Sequence, residues 1–198
     1  MKMKNEEDII FFIQEDEWMM EILKTVKSFH LPDWWICAGF VRSKIWDVLH
    51  GFEGRTPLPD IDVIYYDCTT INEEKEKVLE KKLASIHPCL PWSVKNQARM
   101  HLVNNVSPYV SSEDAMSKFP ETATALGVKL DEKDNVLLSS PCGVKDVLNL
   151  EIKPTTYFQG CTKRMKIFEE RLKTKNWQST WYKIKLFRNE LWQNDKSL

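Results

Sequence analysis

Between residues 8 and 29, Ile9, Phe12, Ile13, Met20, Leu23, Val26 and Phe29 recur at three- and four-residue steps. That is the period of an amphipathic helix, and Pro32 stops it. Residues 34–38 are continuously apolar and read as a short buried strand ended by Gly39. From Val41 a second helix is expected, with Val41, Ile45, Val48 and Leu49 on one side, before a loop marked by Gly51, Gly54, Pro57 and Pro59. Residues 60–66, apolar apart from two aspartates, read as the next strand. A charged helix over 72–87 should bury Val78, Leu79, Leu83 and Ile86. Over 92–103, Lys95, Gln97, Arg99 and His101 alternate with Val94, Ala98, Met100 and Leu102, which predicts another strand. Further on, Ser111 or Ser112 should cap a short helix through Phe119, and a hairpin is expected around 129–138. A strand over 147–152 and two basic helices, 161–173 and 177–192, complete the reading.

The strand at 60–66 carries the chemistry. Side chains two apart on a strand share a face, so Asp60 and Asp62 project together, about 6–7 Å apart along the backbone. Two like charges at the end of an apolar strand are costly unless a cation lies between them. Mg²⁺ (or Mn²⁺), which favours one or two carboxylates plus substrate phosphates, fits that need. Upstream, Gly39 lets a phosphate approach the backbone where a helix begins, and Arg42 one turn later offers a bidentate fork. An order of strand, glycine, helix, loop and paired-acid strand suits nucleotidyl or phosphoryl transfer.

The chain's 198 residues suffice for a real core, and no apolar run approaches a membrane span. Its five cysteines are scattered without a Cys-x-x-Cys pair, which argues against a disulfide framework or a zinc knuckle. The N-terminus turns acidic at once and lacks a signal-peptide pattern, so a cytoplasmic location is expected. A net charge of −1 hides an asymmetry: residues 1–152 carry 17 Lys/Arg against 25 Asp/Glu, and residues 153–198 carry 11 against 4. The basic end either contacts a phosphate-bearing partner or docks on the acidic body with Trp177 and Trp181 as core.

The segments Ala38-Gly39-Phe40-Val41-Arg42 and Asp60-Ile61-Asp62-Val63 resemble the glycine turn and paired-aspartate strand of the DNA polymerase beta-like nucleotidyltransferase superfamily. With Val94-Lys95-Asn96-Gln97-Ala98-Arg99-Met100-His101 and Pro120-Glu121-Thr122-Ala123-Thr124-Ala125, the chain is similar to a bacterial family of nucleotidyltransferase-like proteins over about residues 18–192. This resemblance implies an α+β nucleotidyltransferase fold: a small mixed sheet backed by helices, with C-terminal helices. It divides into a core at 1–110 and an extension at 111–198 packed upon it. It also implies two divalent metals and an NTP donor, with Asp60 and Asp62 as metal ligands and Gly39 on the phosphate side.

Two departures matter. Phe40 stands where the superfamily usually has Gly or Ser, so a hydroxyl contact to phosphate is absent. The third carboxylate, normally on the next strand, has no counterpart in residues 92–103. Glu121 is the preferred substitute, ahead of Asp67. Arg99 and His101 join Gly39, Phe40 and Arg42 as candidate nucleotide contacts, the alternative being a solvated strand face. The expected reaction is transfer of NMP from an NTP to a hydroxyl of a small molecule, protein or RNA, with pyrophosphate release. The rivals are a nucleotide-binding module without turnover and an RNA-binding protein using the basic tail.

Overall fold

In the computed structural model, which describes residues 3–187, the first apolar stretch forms two helices rather than one. Helix α1 spans Glu6–Gln14 and α2 spans Glu17–Lys27. Asp16 causes the break: its carboxylate accepts from the Met19 N–H at 3.0 Å, capping α2, and also takes Lys44 and Arg55. Strand β1 (Trp35–Cys37) leads into α3 (Gly39–His50), which ends on Gly51 in the left-handed conformation that suits a helix C-terminus. Strand β2 (Ile61–Tyr65) follows, then α4 (Glu73–Ile86), capped by Asn72. Helix α4 buries Leu79 and Leu83 as expected, but Val78 and Ile86 are exposed, and Glu76 is fully buried in their stead.

The predicted strand over 92–103 is wrong in its second half. Strand β3 stops at Asn96 (Trp92–Asn96), and Gln97–Asn104 is helix α5. Asn96 makes the switch. Its Oδ1 accepts from the Ala98 N–H at 3.1 Å and the Asp67 N–H at 3.0 Å, and its Nδ2 donates to the carbonyls of Asp67 and Thr70. Its own N–H donates to Glu76. An asparagine cap followed by Gln-Ala-Arg-Met was a helix-start signal that the polar–apolar alternation concealed.

Ser111 caps the short helix α6 (Ser112–Met116), and strands β4 (Gly127–Leu130) and β5 (Val136–Ser139) form the expected hairpin. Beyond it lie α7 (Lys145–Leu148), β6 (Glu151–Ile152), α8 (Thr156–Gln159) and α9 (Thr162–Lys175). The strand expected over 147–152 is thus reduced to two residues. In place of a second basic helix, a 3₁₀ turn at Trp177–Ser179 leads to β7 (Lys185–Leu186), parallel to β6. The rest of that predicted helix, 188–192, lies outside the described residues.

The main sheet is mixed, in the order β3-β2-β1-β4-β5. Strand β1 is antiparallel to β2 and β4, whereas β2 and β3 are parallel. Strands from both sides of residue 110 therefore share one sheet. One face, with Ile36, Val63, Val94 and Val128, packs into the main core against helices including α2 and α3. The other carries Trp35, Cys37 and Ile64 beneath Met116 of α6, and at its end lies Asp62. Among the described residues no helix is long and apolar enough to cross a membrane.

Asn96→Ala removes the cap and leaves several buried backbone groups without partners. It is expected to lower the unfolding free energy by about 2–4 kcal/mol, measured by urea denaturation. A loss under 0.5 kcal/mol would contradict the role given to this side chain.

Candidate active site

Helix α3 starts in an unusual way. Ala38, the residue before it, adopts φ 53° and ψ −114°, a conformation that L side chains rarely take. The positive φ thus falls on the alanine and not on Gly39. No side chain caps the helix, so its first N–H groups face outward without intrahelical partners. A Cβ on Gly39 would meet Arg42 Nη2 and Asp60 Oδ1 at 3.7 Å, which is ordinary contact. The protein itself therefore does not demand glycine here; what the missing Cβ leaves open is the approach to the helix end.

Asp62 lies between Cys37 of β1 and Ser93 of β3 in the sheet register. Asp60 immediately precedes β2, and both carboxylates line a cleft of about 720 Å³ together with Ala38, Gly39 and Arg42. Burial pushes the Asp62 carboxyl up from 3.8 to about 6, and the neighbouring Asp60 adds repulsion, against the pull of Ser93, Lys175 and Lys95. Burial, with the field of both aspartates, also drives the Cys37 thiol well above its ordinary range, so it stays protonated. Among the described residues no cluster of three or more Asp, Glu, His or Cys forms a metal site. Two hard carboxylate ligands in mutual repulsion nevertheless fit a divalent ion that fills its remaining positions with substrate oxygens and water.

Arg42 is 5% exposed. Its guanidinium lies 4.9, 5.0 and 5.2 Å from the rings of Trp46, Trp177 and Trp181. Nη2 donates to Ser43 Oγ at 3.1 Å, while Nε has no partner among the described residues. Burial brings its pKa down to about 10, opposed by Glu121 and Asp60, so the group remains a cation at neutral pH. The far wall comes from the C-terminal part of the chain, with Arg171, Thr174 and Lys175 of α9 facing the cleft.

Several candidates from the sequence lie elsewhere. Phe40 is buried in the core against Trp18, with ring centroids 5.8 Å apart. Arg99 and His101 sit on α5, whose cleft-facing residues are Gln97, Met100 and Asn104. Arg99 points instead to α4, where its Nε and Nη2 donate to Glu76 at 2.9 and 2.8 Å. Glu121 is fully buried and does not line the cleft; Arg171 Nε and Nη2 donate to its two oxygens, and Thr124 adds a third bond. It balances arginines rather than completing the acidic pair. Asp67 is held by Lys75 and Thr69, which bring its carboxyl down to about 2. Arg171 and Lys175 were missed individually; the excess of positive charge after residue 153 was the only signal for them.

The family model for nucleotidyltransferases matches residues 24–186. The chain belongs to the nucleotidyltransferase family. A solved NMR structure described as a CCA-adding enzyme head domain is 37% identical, with a TM-score of 0.86, covering 94% of this chain and 98% of that one. A tRNA-processing enzyme in an apo form shares the fold at 19% identity and a TM-score of 0.51, over 95% of this chain but 46% of its own length. No curated protein matches the sequence. The mixed sheet and its helices are thus the nucleotidyltransferase head-domain fold.

Because the folded state raises the Asp62 pKa, the native form binds its proton more tightly than the unfolded chain. Its contribution to stability is full below about pH 4 and is lost as pH rises through about 6. In the ion-free protein, Asp62→Asn is expected to raise unfolding free energy by about 1–3 kcal/mol at pH 7.5 and by little near pH 4. Urea titrations at the two pH values check this; equal effects at both would refute it.

Proposed function

We propose that this nucleotidyltransferase moves NMP from an NTP to an acceptor hydroxyl and releases pyrophosphate, using Mg²⁺ or Mn²⁺ held by Asp60 and Asp62. One observation carries the reading: a repelled acidic pair and an arginine cation with no carboxylate partner among the described residues meet in one cleft at an uncapped helix start. The opposed charges suit the two halves of a metal–triphosphate ligand. When bound, the ion supplies charge neutralisation at the reacting phosphate and lowers the pKa of the attacking hydroxyl. The outward N–H groups of α3 receive phosphate oxygens where Gly39 permits close approach. Arg42 holds another part of the polyphosphate, and Lys175 with Arg171 faces it across the cleft. The likeness to a CCA-adding head domain supports nucleotide addition over simple phosphoryl transfer. The acceptor is a small molecule, a protein or an RNA end that presents a hydroxyl to this cleft. An NTP donor and five free cysteines fit the cytoplasm.

Among the described residues no third acid faces the pair to take the acceptor's proton. A general base contributes about 10²–10⁴-fold, so turnover is expected to be slow. That same feature favours the second reading, a nucleotide-binding module of this family without turnover. Pyrophosphate release with each NTP, Mg²⁺ or Mn²⁺, and pooled acceptors separates the two. Turnover that falls at least about 10²-fold in Asp62→Asn supports the enzyme. Tight nucleotide binding with no release under any condition supports the module.

Gly39→Ala gives a narrower test. Ordinary contact distances at the added methyl predict a change in stability within about 0.5 kcal/mol, together with NTP affinity weakened about tenfold or more. A folded variant with unchanged affinity would remove the phosphate from this helix end.

A further inference from the structure

We infer that the C-terminal segment, through Trp177, Trp181, Arg171 and Lys175, is an integral part of a polyphosphate receptor centred on Arg42. The inference rests on the anion-binding half of the reading above and extends it to residues more than 120 positions downstream of Arg42.

A guanidinium that is 5% exposed would ordinarily be matched to a carboxylate. Among the described residues Arg42 makes no ion pair with one. Among those residues its contacts are three indole faces within 4.9–5.2 Å and one serine hydroxyl, and its Nε has no partner there. Indole faces attract a cation without consuming its N–H donors. The cage therefore holds the arginine in position and charged while leaving donors for an anion arriving from the cleft. An Asp or Glu partner would occupy those donors. The nearby buried acid, Glu121, has its oxygens engaged by Arg171 and Thr124 instead.

Two of the three rings come from the tail, and the tail is tied down around them. Trp181 Nε1 donates to Asp47 Oδ1 at 2.8 Å, while Asp47 Oδ2 accepts from the N–H and hydroxyl of Thr56 on the cleft rim. The backbone N–H of Lys183 donates to His50 Nε2 at 3.1 Å, and the other ring nitrogen of His50 bonds the Trp46 carbonyl at 2.7 Å. Helix α3 therefore bears both the arginine and the anchors that hold the cage around it. Two residues upstream of Trp177, Lys175 faces the same cleft and raises its positive potential, while Arg171, six residues upstream, lines it as the partner of Glu121. Trp177 and Trp181 are positioning residues: they act on the ligand through Arg42.

Calorimetric titration of the full chain with inorganic pyrophosphate at fixed Mg²⁺ reads this receptor without requiring turnover. Arg42→Leu is expected to weaken binding at least tenfold. Trp177→Leu, which keeps apolar bulk but removes the π face, should weaken it about threefold to tenfold, and Trp177→Phe should recover most of that loss. In the Arg42→Leu background, Trp177→Leu should cost nothing further, because its effect passes through the arginine. Lys175→Gln, at the open wall, tests the second cation with little risk to folding and should weaken binding severalfold. Unchanged affinity in folded Trp177→Leu, or a loss that adds in full to that of Arg42→Leu, overturns the inference. So does wild-type protein that fails to bind pyrophosphate at millimolar concentration. Pyrophosphate binding with the expected coupling but no release from any NTP would leave the receptor standing and defeat the nucleotidyl-transfer reading alone.

Discussion

The guanidinium of Arg42 is the point at which core, cleft and tail meet. Burying a cation without a carboxylate is tolerable only where its charge is otherwise stabilised, and here three indole faces and the field of Glu121 and Asp60 do so. That requirement fixes the positions of Trp177 and Trp181. Those in turn bring α9 alongside the acidic pair and place Lys175 close enough to pull on Asp62. A tail that would otherwise be a loosely attached basic extension becomes one wall of the site.

Opposite charges therefore line one cleft and, among the described residues, are not paired off. Asp60 and Asp62 repel each other beneath an uncapped helix start, and Arg42 stands nearby with donors that no described residue takes up. The other charged groups of the neighbourhood are internally satisfied: Glu76 with Arg99, Glu121 with Arg171, Asp67 with Lys75. The contrast locates the functional centre better than any single residue does. It also explains why the described residues offer no ready third acid, since Glu121 serves Arg171.

Much of the frame was legible from local pattern. The paired aspartates, the glycine at the helix start, the charged helix α4 and the 129–138 hairpin follow from rules that span short stretches of chain. Misreadings arose where one pattern satisfied two structures. Residues 92–101 alternate polar and apolar groups like a strand, yet Arg99 and His101 left the site once Asn96 capped a helix in the middle of that run. Trp177 and Trp181 have helical spacing, yet only a 3₁₀ turn at Trp177–Ser179 forms, with Trp181 just beyond it bonded to Asp47.

By itself, the sequence determined the strand that begins at the aspartate pair, the glycine upstream of it and the family resemblance, because period, turn chemistry and motif order are properties of neighbouring residues. Tertiary structure alone decided which charges stay unpaired. Whether Arg42 meets a carboxylate or three indoles, and whether Glu121 meets a metal or Arg171, depends on segments 50 to 140 residues apart. Their encounter is set by how the sheet and tail pack, a balance of burial and charge that no local stretch of sequence records.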